Sequence, residues 1–89
     1  MRDAYLEVTY RHGKPLVAYY YLPRVDRQRS VGTRRVEAGL LIDFAKDGRP
    51  IGIEITAPSA FSMTAFNRVL RELRIAPVKR QSMAPLLRS

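Results

Sequence analysis

The chain has 89 residues and no cysteine, which confines it to one domain, 1–89, and removes disulfides and thiolate metal sites from its means of stabilisation. Its net charge is +8, with 13 Arg against 3 Lys, so charge favours nucleic acid, anionic lipid or an acidic protein as partner. No apolar run approaches the roughly 18 residues of a membrane span, and the start MRDAYLEVTY alternates and carries acids where a signal peptide would be apolar; a soluble cytoplasmic protein is expected.

From Ala4 to Tyr10 the sequence alternates, with Leu6, Val8 and Tyr10 on one face and Tyr5, Glu7 and Thr9 on the other. That is the pattern of a half-buried strand. Arg11-His12-Gly13-Lys14 supplies a turn, and Leu16 to Leu22 (LVAYYYL) is a second strand rich in β-formers. It is apolar on both faces, so one face is expected to meet a helix and the other a partner chain. Pro23 to Ser30 is charged and aperiodic and reads as a loop. Val31 to Glu37 reads as a further strand, weakened by Gly32, and Ala38-Gly39 permits a tight reversal.

The strongest local signal is a hairpin. Leu40, Ile42 and Phe44 alternate before Asp47-Gly48, and Ile51, Ile53 and Ile55 alternate after it. A two-residue type I′ turn at Asp47-Gly48 would pair Phe44 with Ile51, Ile42 with Ile53 and Leu40 with Ile55, all on one face. A one-residue slip would set these residues against Pro50, Gly52 and Glu54, so the pattern selects its own register. The stretches Arg11–Leu16 and Lys46–Ile51 match as basic, any, Gly, basic, Pro, aliphatic. We read this as convergence on one turn solution.

After Pro58 the period changes. Met63, Phe66, Val69, Leu70 and Leu73 form a helical stripe over Ser62–Arg74, with Ser62 as N-cap and Pro77 as a stop. Val78 to Ser89 is short and mixed; it reads as a loose tail or one that packs through Met83, Leu86 and Leu87. The expected fold is α+β: an antiparallel sheet of four to five strands with the helix on one face. The expected core is Leu6, Val8, Leu40, Ile42, Phe44, Ile51, Ile53, Ile55, Phe66, Val69, Leu70 and Leu73.

Val36-Glu37-Ala38-Gly39 leading into Ile42-Asp43-Phe44, then Asp47-Gly48-Arg49 and Gly52-Ile53-Glu54-Ile55, resembles a small bacterial family known as domain of unknown function 2283. Ala4-Tyr5-Leu6 also resembles that family's first strand, so the likeness runs over about 4–59. It implies a compact α+β domain without an established activity. Because some members lie beside small toxin-like genes, it also implies an antitoxin-like or regulatory role. The long tyrosine-rich second strand, the arginine-rich loop and the C-terminal helix depart from the family pattern. So does Arg74, which stands where a helix-ending Gly would be expected.

Four groups of residues are candidates for function. Asp43 and Glu54 share the outer face of the central hairpin, where two carboxylates could serve acid–base chemistry or bind a cation. The plainer reading is that they are solvated or paired with Arg34, Arg35 or Arg49. His12, the single histidine, reads as a turn residue. Arg24, Arg27, Arg29, Arg34 and Arg35 could hold phosphates while a base stacks on an exposed tyrosine. Against this, Tyr20 would sit in the core, Val17, Tyr19 and Tyr21 in an oligomer interface, and the arginines in solvent. Arg68, Arg71 and Arg74 form a basic stripe that reads as a solvated helix face balanced by Glu72. No nucleophile-elbow motif or Gly-rich phosphate loop is present, and no cofactor is expected. The expectation is therefore a non-enzymatic interaction module that binds itself or a small protein. Nucleic-acid binding through 24–35 is the alternative.

Overall fold

The computed structural model describes residues 3–23, 29–37 and 39–87. Five strands, β1 (Tyr5–Arg11), β2 (Lys14–Tyr21), β3 (Gly32–Glu37), β4 (Leu40–Phe44) and β5 (Pro50–Ile55), form one sheet in the order β1-β2-β5-β4-β3. Every neighbouring pair is antiparallel. Helix α1 (Met63–Glu72) and a short helix α2 (Ala84–Leu87) follow. The fold is α+β, with α1 on one face of the sheet.

Strand alternation sends Ala18, Tyr20, Leu40, Ile42, Ile53 and Ile55 to the inner face, where Phe66, Val69 and Leu70 of α1 close over them. The Tyr20 ring meets Phe66 edge-on at 5.4 Å between centroids. Ser62 caps α1, its hydroxyl oxygen accepting from the Ala65 N–H at 3.1 Å. The helix ends in the geometry usually made by glycine: Ile75 N–H bonds Leu70 C=O and Arg74 N–H bonds Arg71 C=O, with Arg74 at φ 62.

Four expectations are corrected. First, Tyr10 is not half-buried with Leu6 and Val8 on their side of β1 but is 54% exposed. Thr9 pairs with Val17 and Tyr10 with Pro15, so Leu16 is an extra residue that bulges β2. Second, Asp47-Gly48 is not a type I′ turn. Only Gly48 has positive φ (88); Gly48 N–H bonds Ala45 C=O and Ala45 N–H bonds Arg49 C=O, making a three-residue loop with a glycine bulge. Phe44 therefore pairs with Pro50 and not Ile51, whereas Ile42–Ile53 and Leu40–Ile55 pair as expected.

Third, the two similar turns do not share one solution. His12 (φ 52) and Gly13 (φ 78) are both left-handed, the geometry expected at Asp47-Gly48. Fourth, the segment after Pro77 is not a loose tail. The Asn67 side chain accepts from Val78 N–H (2.9 Å) and donates to Val78 C=O (3.4 Å), tying the chain back onto α1. A single 3₁₀ turn, Arg80–Met83, then leads into α2, and Met83 and Leu86 enter the core. The core accordingly includes Ala18, Tyr20, Leu22, Met83 and Leu86, while Leu6, Val8, Phe44 and Leu73 are only partly buried at its margin.

Candidate functional site

Among the described residues no helix lies on the outer sheet face, which gathers Val17, Tyr19, Tyr21, Arg35, Asp43 and Glu54. Register places them in two rows across the strands. One row is Tyr5–Tyr21–Gly52–Asp43–Thr33, and the next is Glu7–Tyr19–Glu54–Leu41–Arg35. Val17 lies beyond Tyr19 on the same face of β2. Val17, Tyr19 and Tyr21 are all half-buried there.

Asp43 is the hub. One carboxylate oxygen accepts from the Tyr19 hydroxyl at 2.7 Å and the other from Thr33 Oγ1 at 2.6 Å. Tyr19 is on β2 and Asp43 on β4, so its ring must cross β5 to reach that carboxylate. It does so over Gly52, where a Cβ would overlap Tyr19 Oη, Cε2 and Cζ. Gly52 is thus the bare backbone on which the ring lies. Tyr21 meets Tyr19 edge-on (4.7 Å), stacks on Tyr5 (4.5 Å, 16°) and donates to Glu7 Oε1 at 3.2 Å. Asp43 is therefore paired, and its partners are Tyr19 and Thr33 rather than Arg34, Arg35 or Arg49. Glu54 is half-buried between Tyr19 and Leu41.

Other candidates do not converge. Arg24 and Arg27 lie outside the described residues. Arg29, Arg34 and Arg35 are exposed, but Arg34 and Arg35 are adjacent in β3 and point to opposite faces. Arg34 stands over the Phe44 ring at 5.2 Å, whereas Arg35 joins the outer row. Arg68 pairs with Glu37 at 3.1 Å rather than with Glu72, leaving Arg71 and Arg74 exposed on the helix layer. His12 is exposed at the tip of the first hairpin.

Both oxygens of Asp43 are engaged within the protein. Asp43 and Glu54 lie on an open face, and neither lines a depression of about 390 Å³ beside Tyr10, Pro15 and Pro85 or one of about 310 Å³ beside Tyr5, Tyr20 and Ser82. Among the described residues, no three His, Asp or Glu side chains converge as metal ligands, and no helix is long and apolar enough to cross a membrane.

Sequence reasoning missed Thr33 and Gly52. Thr33 is the cross-strand neighbour of Asp43, which becomes visible only once β3 is paired with β4. Gly52 did carry a signal: a glycine inside an otherwise isoleucine-rich strand marks a close approach. Compared with protein-family models, curated proteins and solved structures, the chain gives no match.

Proposed function

We propose that the protein is a non-enzymatic interaction module, regulatory and antitoxin-like in the sense the family resemblance implies, which binds a small protein partner or a second copy of itself in a reducing cytoplasm. One observation carries the reading. Among the described residues the helices cover one face of the sheet, and the other keeps Tyr5, Val17, Tyr19, Tyr21 and Leu41 exposed or half-buried beside Glu7, Asp43 and Glu54. An aromatic and aliphatic surface of this kind is suited to protein docking. Engagement of both Asp43 oxygens by Tyr19 and Thr33 argues for a structural carboxylate rather than a catalytic one.

The test is capture from a cell lysate at near-physiological salt, with retained protein and nucleic acid both identified. A defined protein held by the wild type and lost from a folded Val17→Glu/Leu41→Glu variant supports the reading. Identical retention by wild type and variant removes it. The +8 charge supports a second reading, nucleic-acid binding by the 24–35 segment. That reading expects salt-dependent retention of DNA or RNA, lost on charge reversal of Arg27, Arg29, Arg34 and Arg35. No retention at low salt removes it.

A further inference from the structure

The sheet has two open edges, and they differ in chemistry. β3 is terminal on one side and carries Arg34 and Arg35 at its centre. Antiparallel pairing of β3 with its copy about either arginine would set that arginine against its own copy, and like charges so opposed guard an edge. β1 is terminal on the other side, and among the described residues no strand lies beyond it. Its seven residues hold no proline and no lysine, and the bulge beside it is on β2. Tyr5 and Tyr10 are 43% and 54% exposed, and Leu6 and Val8 are only half-buried although they face the core side. An edge strand offers its unpaired N–H and C=O groups to any chain that fits.

We infer that β1 pairs antiparallel with β1 of a second copy, about a two-fold axis at Thr9. This rests on the self-association branch of the proposed function and gives it a location. The register follows from the residues. With Thr9 facing Thr9 of the second copy, Glu7 faces Arg11 of the second copy on the outer side, and Arg11 faces Glu7 in return. Val8 faces Tyr10 of the second copy on the inner side. Every pair is of a favourable cross-strand kind: opposite charges twice, a β-branched residue with an aromatic twice, and threonine with threonine. The exposed Tyr10 ring gains an apolar neighbour, and the two sheets become one. Two-fold contact through the outer faces instead would bring Glu7, Asp43 and Glu54 of both copies into one interface against Arg11 and Arg35, whereas along the β1 edge each acid faces a base. Charge therefore favours the edge.

Sedimentation equilibrium through the micromolar to millimolar range tests this with Glu7→Arg and Arg11→Glu. Each variant alone places like charges opposite each other, and dimerisation weakens by roughly tenfold or more. Mixed together, the two variants restore both opposite-charge pairs, and a heterodimer forms. Arg71→Glu, a charge reversal away from β1, leaves the wild-type dimer unchanged. Far-UV circular dichroism establishes that each variant is folded. A wild type that stays monomeric throughout overturns the inference and leaves docking of a different protein to the capture experiment. A dimer that neither variant weakens, or variants that associate no better mixed than apart, overturns the β1 edge while self-association stands.

Discussion

The two faces of the sheet share five strands and one alternation, yet they are held by different physics. On the inner face, Ile53, Phe66, Leu70 and Met83 are wholly excluded from water, and stability comes from burying apolar area against α1 and the C-terminal segment. On the outer face no described element is layered over the strands. Order there comes from one directional arrangement, Tyr19 lying on Gly52 with its hydroxyl on Asp43, and Asp43 bonded again by Thr33. The inner face tolerates many apolar residues of similar volume. The outer arrangement needs particular atoms at particular registers. That contrast explains why one face reads as scaffold and the other as surface for a partner.

The contrast can be broken from either side. Phe66→Ala, on the inner face, should cost about 3–5 kcal/mol in denaturant unfolding, a large fraction of a small domain's stability. A cost under half of that would mean that α1 is not the lid described. On the outer face, Gly52→Val should cost about 1–3 kcal/mol, because the new side chain must displace the Tyr19 ring and with it the bond to Asp43. If Gly52→Val unfolds at the wild-type denaturant concentration, the ring does not depend on bare backbone.

Tyr19→Phe keeps the ring and removes only the hydroxyl. It should cost about 1 kcal/mol, and in a double-mutant cycle with Asp43→Asn the two changes should couple. Strict additivity would sever the link. Arg74→Gly works in the opposite direction. Arginine at φ 62 bears the left-handed penalty that glycine does not, so the substitution should raise stability by about 0.5–1 kcal/mol and the melting temperature with it.

The smallest effect at neutral pH belongs to Tyr20. Burial holds its phenol above the ordinary tyrosine pKa, so the folded state keeps a proton that the unfolded state releases first. Stability from this source is intact below about pH 10 and is lost as pH rises through the folded value. Melting temperatures of wild type and Tyr20→Phe should therefore track each other near neutrality and diverge above that pH, with the wild type falling faster.

Much of this was legible in the sequence, and what was not has identifiable causes. The Ile42–Ile53 and Leu40–Ile55 pairs, the Ser62 cap and the Phe66, Val69, Leu70 stripe all follow from periodicity, because burial on one face forces a register and a helix face. Turn geometry was less secure. His12-Gly13 and Asp47-Gly48 stand in matching hexapeptides yet fold differently, since loop length is decided by how the strands beyond must pair. The C-terminal segment was obscure because its anchor is a single side chain, Asn67, bonding Val78 from eleven residues away. At the candidate site, alternation was enough to set Asp43 and Glu54 on one face of the hairpin and Tyr19 and Tyr21 opposite Tyr20, but the two sets meet only because β2 pairs with β5. Their partners were hidden because Thr33 and Gly52 meet them only through strand order. The arginine cluster illustrates the converse: neighbours in sequence, Arg34 and Arg35, diverge in a strand.

One sheet face is closed by the chain's own helices, and under the proposed function the rest of the sheet is offered to a protein. The most direct measurement is a residue-by-residue amide shift map of the isotopically labelled chain, taken as its own concentration is raised and again with the protein it captures. Shifts are expected along β1 and at Val17, Leu41 and Glu54, with α1 unmoved. Shifts confined to Arg71, Arg74 and their neighbours on α1, or appearing only when single-stranded DNA is added and then only over 29–35, would contradict it.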